Sequence, residues 1–145
     1  MEARYVAENA AQRARLRTLV ARLSDGDLSR SMDHGWTVGV ALAHLAFWDR
    51  LYLGMLEDWE QAGAVKLPPT GTADATNDAM LSQWLNASPA DLKQEVLAAA
   101  EAMDRKIEVL PATLVEAILP ERPRMMNRSL HRREHLDEIE RVLAS

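Results

Sequence analysis

The residues of this 145-residue chain best suited to chemistry are two histidines one helical turn apart, in His131-Arg132-Arg133-Glu134-His135. Side chains four residues apart on an α-helix share a face. Two imidazoles so placed can hold one metal ion. The same spacing also occurs on solvated helix faces that bind nothing. A third histidine, His44, stands in Ala41-Leu42-Ala43-His44-Leu45-Ala46-Phe47-Trp48, among apolar neighbours. A buried imidazole needs hydrogen-bond partners or a ligand. His44 is therefore either a satisfied core histidine or a third ligand that meets His131 and His135 across the fold. Three neutral imidazoles would leave open positions on a divalent ion, as in a reactive site rather than a closed structural one. In that role they are ligands and not acid–base groups, because metal binding requires the neutral ring.

The remaining polar features read more plainly. His34, in the loop Ser31-Met32-Asp33-His34-Gly35, is expected in solvent. Asp49 and Arg50 are expected to form pairs at the surface or the end of the fold. Glu138, three residues past His135, can orient that ring, although a solvated helix pair is the simpler role. Arg122, Arg124, Arg128, Arg132 and Arg133 form a basic stretch able to attract an anionic substrate or thiol cofactor. Glu134, Asp137, Glu138 and Glu140 follow closely, so a mixed solvated face is the simpler expectation. Trp48, Trp59 and Trp84 are expected in the core or at a subunit contact. No glycine-rich phosphate loop and no Ser-His-Asp order stands out, and with no cysteine there is no thiolate ligand or cysteine nucleophile.

Helices must position these groups. Val6, Leu16, Leu19, Val20 and Leu23 recur at the spacing of one helical face, which predicts a first helix over about residues 3–23. Ser24-Asp25-Gly26-Asp27 then breaks it, and a loop runs to Trp36. Thr37 can cap a second helix to about Gln61, with Gly63 near its end. Lys66-Leu67-Pro68-Pro69-Thr70-Gly71-Thr72 is a loop long enough to cross over the fold. A third helical region starts near Asp74 and is interrupted at Ser88-Pro89. Ser88 can cap, and Pro89 can open, a fresh helix that Pro111 closes. A short turn is expected at Leu114–Ile118, and a last helix over about Arg124–Leu143.

Composition agrees. Hydrophobic residues make up 48% of the chain and charged residues 27%, the balance of one globular domain spanning residues 1–145. The net charge of −5 argues against a nucleic-acid binder, which needs basic surface to neutralise phosphates. The N-terminal Met1-Glu2-Ala3-Arg4-Tyr5-Val6 has no apolar signal region. No apolar run reaches the roughly 18 residues of a membrane span. A cytoplasmic location without membrane attachment is expected.

Two segments carry a family resemblance. Gly35-Trp36-Thr37-Val38-Gly39-Val40-Ala41-Leu42-Ala43-His44-Leu45-Ala46-Phe47-Trp48-Asp49 is similar to the second-helix signature of the DinB-like (YfiT-like) superfamily. Asn127-Arg128-Ser129-Leu130-His131-Arg132-Arg133-Glu134-His135-Leu136-Asp137-Glu138-Ile139 resembles its closing helix. Their order and separation fit, so the resemblance covers nearly the whole chain. It implies an all-α, up-down-down-up four-helix bundle with a long crossover between helices two and three. It also implies a site for nickel, zinc or iron on His44, His131 and His135. The family includes mycothiol- and bacillithiol-dependent transferases, a maleylpyruvate isomerase and a colibactin-resistance protein. Some members keep the fold and lose the metal. The Asn77 region and the long third helix resemble the colibactin-resistance branch more than the thiol transferases. The expected function is thus a thiol-dependent transferase or metal-dependent hydrolase with a small-molecule ligand. The alternative is a metal-free bundle for small-molecule binding or self-association. A homodimer is expected, with Trp59 as a candidate contact.

Overall fold

The computed structural model describes residues 3–145; Met1 and Glu2, the start of the N-terminal stretch discussed above, lie outside the described residues. Among the described residues the chain forms eight α-helices and no strand. They are α1 (Arg4–Arg22), α2 (Asp25–Leu28), α3 (Val38–Ala62), α4 (Ala73–Leu85), α5 (Pro89–Val109), α6 (Ala112–Ile118), α7 (Pro123–Met126) and α8 (Ser129–Ala144). No described helix is long and apolar enough to cross a membrane.

Local chemistry explains most boundaries. The Thr37 hydroxyl accepts from the Val40 amide at 3.1 Å and opens α3. Gly63, at φ 68°, closes α3 in the left-handed conformation that glycine adopts without a steric cost. Ser88 accepts from the Asp91 amide, with Pro89 in the first turn of α5. The stretch from Ser24, expected to be only a turn, holds a one-turn helix closed by a reciprocal Ser24–Asp27 capping box.

Helices α1, α3, α5 and α8 are the bundle. Two apolar clusters set their directions. One gathers the end of α1 (Leu19, Leu23), the start of α3 (Val38, Leu42), Val96 of α5 and the later part of α8 (Leu136, Ile139). The other gathers Tyr5 at the start of α1, Leu56 and Trp59 late in α3, Met103 and Ile107 of α5, and Met125 and Met126 just before α8. Hence α1 and α8 run one way and α3 and α5 the other, an up-down-down-up bundle. Two parallel neighbours, α3 and α5, need a long return, and residues 63–88 supply it with α4 lying on α3. Gly39 lets α3 approach closely: a β-carbon there would fall 3.1 Å from Leu92 Cδ1 and 3.3 Å from the Leu28 carbonyl oxygen.

The last expected helix is two. The chain leaves helical geometry at Asn127 (φ −91°, ψ 85°). Asn9 of α1 holds both sides of this break: its amide donates to the Met126 carbonyl at 2.9 Å and its oxygen accepts from the Ser129 amide at 2.8 Å. These groups would be orphaned at the break, and the fully enclosed Asn9 side chain replaces their helical partners. Trp59 is buried at 6% exposure among the core residues of its own chain, so it is not free to form a subunit contact.

Candidate metal centre

His44 lies on the inner face of α3, and His131 and His135 on that of α8. Their rings meet: centroids are 4.7 Å apart for His44–His131, 4.7 Å for His44–His135 and 4.9 Å for His131–His135. One nitrogen from each ring lies within 4.8 Å of the others. Nε2 of His44 and Nε2 of His131 are 2.8 Å apart. The cluster opens along a flank of the bundle, beside a cavity of about 520 Å³ whose wall follows α3 from His44 to Met55. The crossover residues Pro68–Thr72 and the α6–α7 connection complete that wall. His34 is exposed in the loop, as its neighbours suggested.

Each ring is oriented. The Asn77 side-chain oxygen of α4 lies 3.1 Å from Nδ1 of His44 and accepts from the Trp48 indole N–H at 2.8 Å. An amide oxygen only accepts, so Nδ1 of His44 carries the proton and its Nε2 lone pair faces the other histidines. The Arg128 Nη2 donates to Nδ1 of His131 at 3.2 Å. Nδ1 of His135 lies 3.7 Å from Glu138 Oε1 and is a buried nitrogen with no hydrogen-bond partner in the protein. Trp36 lies against both His44 (4.8 Å between centroids) and His135 (5.9 Å, stacked), and Trp84 stands edge-on to His44 at 5.7 Å.

This surrounding keeps the rings neutral. Burial pulls His44 down to about 3; His135 and Arg128 push the same way, while the Asn77 hydrogen bond opposes them. His131 is pushed far below the ordinary histidine range, first by burial, then by Arg128 and the other two histidines. Burial also lowers His135, against the pull of Glu138 and Glu134.

Beneath the histidines lies a buried ion network. Arg132 grips Asp104 of α5 with two N–H groups, both at 2.9 Å, and reaches Asp49 of α3 at 3.3 Å. Arg128 donates to Asp49 at 2.8 Å, and Arg13 of α1 donates to Asp104. Arg128, Arg132, Asp49 and Asp104 are each no more than 3% exposed. Burial alone would lower the affinity of Arg132 for its proton; Asp49 and Asp104 overcome this and raise it. Asp49 is therefore not a surface residue, and Arg128 and Arg132 are not part of a solvated face. Arg50 does form the surface pair, with Glu95. The sequence signal was present at two positions: Asp104 is one turn from Ala100, and Arg132 one turn from Leu136, each on a core-facing stripe. Asn9, three residues past Val6 and seven before Leu16, and Asn77, four before Leu81 and seven before Trp84, also lie on apolar stripes.

The donor set fits a divalent ion. It consists of three neutral imidazoles from two helices, two with their Nε2 atoms face to face and the third with a buried, unpartnered nitrogen. Bonds of about 2.0–2.1 Å imply nitrogens about 3–3.4 Å apart, so a slight parting of His44 and His131 would admit an ion.

An up-down-down-up bundle with a three-histidine cluster between its second and last long helices defines the class of DinB-like proteins. The family described as the mycothiol maleylpyruvate isomerase N-terminal domain matches residues 10–138, and the chain belongs to that family. No curated protein and no solved structure matches it. The match is to a mycothiol-named family.

Proposed function

We propose that the protein binds one divalent metal ion through His44, His131 and His135 and uses it in a thiol-dependent reaction on a small, anionic electrophile. The observation that carries this reading is the convergence of three neutral imidazoles at the wall of an open cavity. The family name supplies the thiol class: a low-molecular-weight thiol, with mycothiol the first to test. When bound in such a site, a divalent ion offers Lewis acidity toward a thiol or a water, which also keeps a hydrolase within the class.

The chain's own residues would do the rest. Asn77 holds the ring of His44 toward the centre, and Trp36 stacks on the ring of His135. Trp36 and Trp84 cover the histidines and limit water. Trp48, Leu51, Met55 and Met125 give the cavity an apolar lining, and Arg122 and Arg124 stand at its rim. A cavity of this size suits a small molecule, and Arg122, Arg124 and Arg128 outnumber Glu121 along its wall, which favours an anionic one.

The metal-free binding module is the second reading. One observation favours it: Arg128, His131, His44 and Asn77 stand within hydrogen-bond distance of one another in a continuous chain. Elemental analysis of protein purified without a histidine tag separates the two. About one equivalent of nickel, zinc or iron supports the metal reading, and none at any loading condition removes it. A panel of thiols with electrophilic carboxylic acids, assayed on loaded protein, then tests the reaction class.

A further inference from the structure

Arg128 has only N–H groups to offer, because a guanidinium donates and never accepts. Its Nη2 lies 3.2 Å from Nδ1 of His131, so that nitrogen must accept and carries no proton. A neutral imidazole has one proton, which then sits on Nε2 of His131. Nε2 of His44 lies 2.8 Å away. That nitrogen is free to accept, since the proton of His44 is on Nδ1, toward the Asn77 oxygen. All hydrogen bonds run in one direction, from Arg128 through His131 and His44 to Asn77, and every donor meets an acceptor.

A metal on Nε2 of His131 cannot coexist with this arrangement. The ion needs the Nε2 lone pair, and a ring that stays neutral must move its proton to Nδ1. Nδ1–H would then face the N–H of Arg128 at 3.2 Å, two donors with no acceptor between them. The guanidinium has room to yield. To yield, the planar guanidinium must turn as a unit, keeping its Nε on Asp49 at 2.8 Å and giving up the Nη1 bond of 2.9 Å to the Arg124 carbonyl; the residue borders the cavity, where the released N–H can meet water or a ligand.

We propose that Arg128 is a metal-responsive positioning residue: it holds His131 in the tautomer that excludes a metal, and ion binding turns its Nη2 from His131 toward the cavity. The proposal rests on the metal reading above. It makes the empty and loaded cavities different, because the loaded one presents a charged donor beside the ion. Arg128 thereby opposes metal uptake and, once displaced, offers a contact to an anionic ligand.

The test is imidazole 15N–1H correlation spectroscopy on the wild-type protein, first stripped with chelator and then given one equivalent of zinc. The stripped protein should show His131 protonated at Nε2 and His44 at Nδ1. Zinc should move the His131 proton to Nδ1 and leave that of His44 in place. A His131 ring already protonated at Nδ1 in stripped protein overturns the proposal while leaving metal binding intact. Protein that takes up no zinc overturns the metal reading itself, and its zinc content shows which has failed. As a second measurement, Arg128→Met should bind zinc on the order of tenfold more tightly, the effect of losing one hydrogen bond to a charged group. Arg128→Lys, which keeps a cation beside Asp49, should shift affinity in the same direction. Weaker zinc binding in both folded variants would mean that Arg128 merely braces His131 for the ion, and would overturn the proposal.

Discussion

Nε2 of His44 and Nε2 of His131 stand 2.8 Å apart although 87 residues separate them in the chain. Helix α3 delivers one and the first turn of α8 the other. The two helices are packed neighbours that run in opposite directions, so the contact depends on the bundle as a whole. The relationship makes His44 part of the three-histidine cluster.

His44→Ala should therefore lower metal affinity as much as His131→Ala or His135→Ala does. Each is expected to lose more than about 100-fold, beyond the range seen when only a supporting residue is removed. Metal content of the three variants checks this. Full binding by His44→Ala alone would reduce the centre to a two-histidine clip on α8.

Asn77 serves both His44 and Trp48. Asn77→Leu should cost about 10–100-fold in metal affinity by freeing the His44 ring. It should also cost about 1–3 kcal/mol of stability by leaving the Trp48 N–H without its acceptor. Calorimetric metal titration and denaturant unfolding read the two effects separately. Unchanged affinity would show that Asn77 does not set the His44 tautomer.

The three depressed histidines predict an acid-sensitive fold. An unfolded histidine takes up a proton below about pH 6.5, whereas folded His44 resists until about pH 3. The unfolded state therefore binds more protons in this window, and stability is lost as pH falls through it. The slope should reach about 1.4 kcal/mol per pH unit for each histidine kept neutral. His131 and His135 add to the loss in the same direction. Urea unfolding of metal-free protein between pH 7.5 and pH 4 measures this, and His44→Ala should flatten the curve. Equal slopes would mean that His44 is not held neutral.

The buried ion network should punish removal of a single member. Arg132→Met leaves Asp104 with Arg13 and Asp49 with Arg128, in a space closed to water. Breaking such a buried pair typically costs about 3–5 kcal/mol. Chemical denaturation reads this loss. A cost below about 1 kcal/mol, the size of a surface pair, would show that water reaches the network.

Helix type and extent were largely legible in the residues themselves. The stripe from Val6 to Leu23, the caps at Thr37 and Ser88 and the stop at Gly63 act within a few residues, through periodicity and hydrogen bonds between near neighbours. The pairing of His131 with His135 is equally local, because one helical turn places them together. The break at Asn127 was not legible, because the residue that holds it, Asn9, lies more than a hundred positions away. The roles of Asp49, Arg128 and Arg132 lie beyond local sequence for a related reason. A charge enters a core only when opposite charges meet it there, and its partners come from α1, α3 and α5 together. By itself the sequence determined helices with apolar faces and two histidines sharing one of those faces. Tertiary structure alone decided that His44 completes the cluster, that Asn77 and Arg128 set the ring tautomers, and that the site opens on a flank. Helical periodicity says which side chains face inward, whereas what they meet depends on helix order, direction and register, which only packing of the whole chain defines.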